Sequence, residues 1–216
     1  MNRALSYIRS ISKRRILTLL LGIVILALGI AIFKKALLGN DPFTAFSFAL
    51  EGVTGISFAV FNIIINGSFF IIQLLFGRKY IGFGTVINWF CVGVVTAAWI
   101  DVLTFLLPDS DALPYRLLLM VLGVIVTALG VSMYQTPDLG AGPYDSASLI
   151  MAERLPIPYF WCRMMTDGFC ALMTFLLGGL LGLGTVICAF GLGPFVSFFT
   201  THFTRKLCGM EEPERS

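Results

Sequence analysis

The chain has 216 residues, 57% of them apolar and only 12% charged, with a formal net charge of +3. Soluble domains carry about 25% charged residues, so an ordinary water-soluble domain is excluded. With no such domain to present the cations, a nucleic-acid partner is excluded too.

Taken in chain order, the first feature is a basic stretch over 1–15, with Arg3, Arg9, Lys13, Arg14 and Arg15. The apolar run 16–33 follows. It is too long for a secretory h-region and lacks a small-x-small cleavage site, so it reads as an uncleaved first span. Five further runs are long enough to cross a bilayer, at 57–76, 85–107, 115–134, 158–180 and 185–204. Between the first and second, and again between the fourth and fifth, lies a loop followed by a short helical piece. Those pieces are 42–50 and 143–153, each opened by a proline at its first turn (Pro42, Pro143), where the missing N–H costs nothing. Each is too short to span alone. The tail 205–216 begins with Arg205 and Lys206.

The two halves repeat. Gly22, Ala27, Leu28, Gly29, Leu38, Gly39, Pro42 and Ser47 recur 101 positions later as Gly123, Ala128, Leu129, Gly130, Leu139, Gly140, Pro143 and Ser148. Gly82, Gly84, Thr85, Val86, Ile87, Phe90 and Gly93 recur 100 positions later as Gly182, Gly184, Thr185, Val186, Ile187, Phe190 and Gly193. Repeat 1 covers 16–107 and repeat 2 covers 115–204. Three spans per half is an odd number, so the halves should be inverted about an axis in the membrane plane. The expected fold is all-α and polytopic: six transmembrane helices plus two half-membrane helices. Positive-inside bias places both termini, Arg78-Lys79 and Arg205-Lys206 in the cytoplasm, and Asp109 and Asp111 outside. Lys34 and Lys35 run against that bias.

Non-helical backbone at membrane depth must line a cavity or be buried in protein. The loops around Gly39, Asn40, Asp41 and Thr44, and around Gly140, Gly142, Tyr144 and Asp145, are therefore the candidate binding site. Free N–H groups at the two short helix N-termini would favour an anion. Asp41 and Asp145 instead favour a cation, a proton or a hydroxyl-rich ligand, unless they merely cap their helices. Within the spans, Asn66 and Asp167 stand at equivalent positions, and Asn88 opens the third span; all three join the candidate set. Asn62 and Arg163, one turn earlier, read as structural: an interhelical hydrogen bond and a salt bridge to Asp167.

Cys91, Cys162, Cys170, Cys188 and Cys208 form no Cys-x-x-Cys pair and read as buried apolar residues. His202 reads as interfacial. The Gly-x-Gly-Thr segments lack a preceding strand and the full glycine spacing of a dinucleotide fingerprint, and suit close helix packing instead. No nucleophile motif or metal-ligand spacing occurs. Neither enzyme activity nor a cofactor or metal is expected.

The Leu-Gly-x-x-Pro-aromatic loops and the block Ile81-Gly82-Phe83-Gly84-Thr85-Val86-Ile87-Asn88 resemble those of the bacterial YczE/YyaS/YitT-type integral membrane proteins. The resemblance covers 16–204. It departs at Thr44, where the second loop has Asp145, and at Cys188, where the first half has Asn88. It implies a multi-pass protein of the bacterial inner membrane and no defined activity. Two functions follow as expectations. One is a small-solute or ion transporter or permease, with its site at the repeat interface and the lipid bilayer and a small polar solute or ion as partners. The other is a non-transporting membrane subunit or accessory protein, in a homo-oligomer or with a membrane partner.

Overall fold

The computed structural model describes residues 12–210. The basic stretch 1–15 lies mostly outside the described residues, as does 211–216 of the tail. Among the described residues every regular element is helical: α1 Lys13–Ala36, α2 Pro42–Thr54, α3 Phe58–Phe76, α4 Phe83–Leu106, α5 Leu113–Gln135, α6 Pro143–Arg154, α7 Tyr159–Leu176, α8 Leu183–Phe199, and a short α9, Arg205–Cys208. A π-turn over Thr200–Thr204 joins α8 to α9. A 3-10 turn, Arg78–Tyr80, precedes α4.

The helix ends follow from local chemistry. Pro42 and Pro143 open α2 and α6, and Asp41 caps α2 by accepting the Thr44 N–H at 3.0 Å. Leu37, a rare non-glycine residue with positive φ (54°), ends α1. The loops then turn through Gly39 at φ 98° and Gly140 at φ 110°, a conformation that glycine adopts without strain.

The two most intimately packed helices are α1 and α5. A β-carbon on Gly22 would stand 2.5 Å from Tyr134 N, and one on Gly130 would press closer still on Leu26 N, so the backbones touch. Close approach through small residues is how helices associate without a water-driven hydrophobic effect. Around this crossing Leu19, Ile23, Leu26 and Ile30 of α1 pack with Val92 of α4 and Tyr134 of α5.

Contacts group the helix ends at two faces. On one face, Arg15 donates to Pro137 O, Lys79 pairs with Glu153, and Arg154 reaches Phe76 O. Gly209, the C-cap of α9, lies beside Arg14 on that face. On the other, Lys35 pairs with Asp109, and Lys34 lies 4.0 Å from Glu51. The C-terminal ends of α2 and α6 therefore return to the faces from which their loops enter, α2 to the second and α6 to the first. With 13 and 12 residues, they are about 20 Å long at 1.5 Å per residue, less than a bilayer core.

Five helices, α1, α3, α4, α5 and α8 continued to Cys208, are long and apolar enough to cross a membrane. Helix α7 is shorter than the run 158–180 suggests, at 18 residues, and carries Arg163 and Asp167. Large apolar side chains face outward along these helices, Ile71, Leu75, Phe175 and Phe190 among them. An apolar exterior of this kind fits a membrane location.

Candidate functional site

The loop before each short helix docks on the start of the last helix of the other half. Gly84 N–H donates to Leu139 O, and Gly184 N–H to Leu38 O, both at 2.7 Å. A β-carbon at Gly82 would collide with Leu139 O, and one at Gly182 with Leu38 O. Thr85 Oγ lies 2.8 Å from Ala141 O, and Gln73 Nε2 donates to Tyr80 O and Ala141 O at 3.2 and 3.3 Å. The glycines of the Gly-x-Gly-Thr segments thus admit the irregular backbone of the loops and satisfy its carbonyls, as buried backbone requires.

These dockings bring the first turns of α2 and α6 together. The rings of Phe43 and Tyr144 stack, centroids 4.5 Å apart, and Phe69 meets Tyr144 edge-on at 5.2 Å. Beside the stack lies an ionic network. Arg163 Nη1 donates to Asp145 Oδ1 at 2.7 Å, and Arg163 Nε to Asp167 Oδ2 at 3.3 Å. Tyr134 donates its hydroxyl to Asp145 Oδ2 at 2.9 Å, and Tyr144 donates its own to Asp167. The guanidinium also lies 4.8 Å from the Tyr144 ring centre. One cation therefore serves two carboxylates, and each carboxylate accepts one tyrosine hydroxyl.

Burial is graded across the network. The Asp167 side chain is 6% exposed, whereas Asp145 and Arg163 keep 22% and 28%. Asn66, buried, accepts the Tyr144 N–H at 3.4 Å and donates to Asn62 O and Oδ1 at 3.0 and 3.1 Å. Asn88 stands against the second loop, since a β-carbon on Gly142 would be 2.6 Å from its Oδ1.

The sequence-derived candidates are thus gathered, with corrections. Tyr144, Asp145, Asp167, Asn66, Asn88, Gly140 and Gly142 meet at the start of α6, and Thr44 and Asp41 open α2. Asp41 caps its helix, but Asp145 does not: Gly142 holds the cap position, and Asp145 is the third helical residue, within the first turn. The expectation of free N–H groups at both helix starts is corrected as well. Tyr134 takes the Gly142 N–H, Asn66 the Tyr144 N–H and Asp41 the Thr44 N–H, so these donors serve protein, not ligand. Arg163 is no mere bridge to Asp167; its shorter bond goes to Asp145, 18 positions away. Gly39 and Asn40 stand apart from the network, with Asn40 donating to Ile30 O at 3.2 Å. They line instead a cavity of about 350 Å³ at the other face, beside Lys34.

Sequence reasoning misses Tyr134 and Gln73. Tyr134 ends an apolar run and looks like an interfacial aromatic. Gln73 carries a signal, a lone amide in an apolar run. Among the described residues no cluster of His, Cys, Asp and Glu is arranged to hold a metal.

Comparison with known proteins adds family but no activity. An uncharacterised membrane protein of Bacillus subtilis, YczE, is 29% identical over 178 residues, covering 82% of this chain and 81% of that protein. An uncharacterised protein of Haemophilus influenzae is 28% identical over 187 residues, covering 87% of this chain and 84% of its own length. No solved structure matches. The profile of DUF6198, described as a family of unknown function, matches residues 13–201. The chain belongs to that family, one of YczE-type membrane proteins.

Proposed function

We propose that the protein is a small-solute or ion transporter of the bacterial inner membrane, built from two inverted repeats of three spans and one half-membrane helix. The observation that carries the reading is the stack of Phe43 on Tyr144. It joins two short helices that enter from opposite faces, and it adjoins ionised side chains that no lipid could solvate. The contacts pair by the same offset as the sequence: Gly22 against Tyr134, and Gly123 against Phe33. Inverted repeats with broken helices at the midplane are the architecture of rocking around a fixed site.

Charge supports the orientation. The face with Arg14, Arg15, Arg78, Lys79, Arg205 and Lys206 is the cytoplasmic one, with both ends of the described chain on it. Lys34 and Lys35 no longer offend, because Glu51 and Asp109 stand beside them. In the network, two carboxylates share one guanidinium, so an ionised site has one negative charge to spare and suits a cation or a proton.

The reading is tested by flux into proteoliposomes. Asp145→Asn and Asp167→Asn should each abolish the transport that the unaltered protein shows over empty vesicles; full retention in both would remove the site assignment. A second reading, a membrane subunit of a larger complex, draws on the separation of α7 from α8. A β-carbon at Gly168 or Gly193 would have no neighbour within 4 Å, whereas one at Gly67 would meet Trp89 at 3.2 Å and one at Gly93 would meet Asn62 at 3.0 Å. A stoichiometric companion co-purifying in mild detergent would favour it.

A further inference from the structure

The second face holds a cavity that the network does not use. It measures about 350 Å³ and lies between the end of α1, the outer side of α2 and the α7–α8 turn. Pockets for small ligands begin at about 300 Å³. Apart from Lys34 and Asn40, its lining is apolar or glycine, with Ala45, Phe48, Ala49 and Val53 along α2. Gly52 opens onto it with nothing within 4 Å of a β-carbon position.

Only one charged group stands among the lining residues, Lys34. Its Nζ lies 3.9 Å from the centre of the Phe48 ring and 4.0 Å from Glu51 Oε2, at the limit of an ion pair. An ammonium has three donors, and at that range the carboxylate commits none of them firmly. Glu51 itself accepts the Phe58 N–H at 2.9 Å through its other oxygen, which holds it at the cavity's edge. Asn40, also among the lining residues, donates one amide N–H to Ile30 O and accepts the Asp41 N–H through Oδ1, which fixes its orientation.

We propose that this cavity binds a small organic anion with an apolar body about the size of one ring. The anionic group meets Lys34, and the body lies along Ala45, Ala49 and Val53 of α2. The inference does not rest on transport, because it concerns binding at equilibrium.

The test uses the whole protein in phosphatidylcholine nanodiscs, titrated calorimetrically with phenylacetate, and with benzyl alcohol and benzylamine as neutral and cationic counterparts. Phenylacetate is expected to bind saturably and benzylamine not at all. A charge-assisted contact of this kind is worth a factor of about ten or more, so Lys34→Gln should weaken phenylacetate by at least that. Gly52→Leu fills the space from an open helix position, and should abolish binding while leaving the thermal transition in place. Equal binding of phenylacetate and benzyl alcohol, or no loss in Lys34→Gln, would overturn the proposal. So would absence of phenylacetate binding to the unaltered protein. If phosphatidylglycerol added to the disc competes the probe away, the occupant is a lipid headgroup and the soluble-anion assignment is overturned.

Discussion

Phe43 and Tyr144 stand 101 residues apart and stack ring on ring with centroids 4.5 Å apart and planes 27° from parallel. Each is the second residue of a proline-opened short helix. Their contact places the starts of α2 and α6 against each other, and the hydroxyl of Tyr144 carries the contact onward to Asp167. Loss of the ring at either position should loosen both helices together. Tyr144→Phe keeps the stack and removes only the bond to Asp167, whereas Phe43→Ala removes the stack. In thermal unfolding, Phe43→Ala should cost about 3 kcal/mol, as for a buried aromatic truncated to alanine, and Tyr144→Phe clearly less.

Arg163 serves two carboxylates, so its removal strands both. Arg163→Met should destabilise the fold by about 3 kcal/mol, the low end for a broken buried pair, since Asp145 is partly exposed. Adding Asp145→Asn and Asp167→Asn to that variant should restore part of the loss, because no unpaired charge then remains. A triple variant no more stable than Arg163→Met would show that the carboxylates are not the cause.

The loop dockings make opposite predictions for glycines that look alike in the sequence. Gly82→Ala drives a methyl into Leu139 O, and should cost about 1–3 kcal/mol as an overpacked contact. Gly168→Ala meets nothing, and should gain about 0.5–1 kcal/mol through helix propensity. Thermal or denaturant unfolding of the two variants side by side checks both signs.

At the first face, the hydrogen bond from Lys79 holds the Glu153 carboxyl below its usual value of 4.5, and Lys79 is held above its own. A depressed carboxylate contributes above its unfolded value and loses that contribution as pH falls through the folded one. The stability difference between the unaltered protein and Glu153→Gln should therefore be constant from neutral pH down to about 5, and shrink below that range. The pair is exposed, so the difference is small and fades with salt. A difference that grows on acidification would contradict the pairing.

Much of the architecture is legible in the sequence. Pro42 and Pro143 mark the short helices because proline is at ease only in a first turn. Gly39 and Gly140 mark the loops because few other residues accept positive φ. The charged turns at Lys13 and Glu51 are harder to place, since apolar runs end before the helices do: α1 starts at Lys13, and α2 continues to Thr54. Asp145, Asp167 and Asn66 are legible as polar residues stranded among apolar ones. Tyr134 is not, because an aromatic at the end of a span has an ordinary interfacial use. Nor can spacing reveal that Arg163 reaches Asp145, since that contact depends on how α6 folds back against α7. The looseness between α7 and α8 is equally hidden, as Gly168 and Gly193 match their tightly packed counterparts in kind.

The central claim is that the acids beside the Phe43–Tyr144 stack serve a moving solute. Counterflow in proteoliposomes, run over a panel of small polar solutes and monovalent ions, tests it most directly. The unaltered protein should move at least one of them faster than empty vesicles do, and Asp145→Asn and Asp167→Asn should each bring that rate to background. Panel-wide rates equal to those of empty vesicles, or variants as active as the parent, would contradict it.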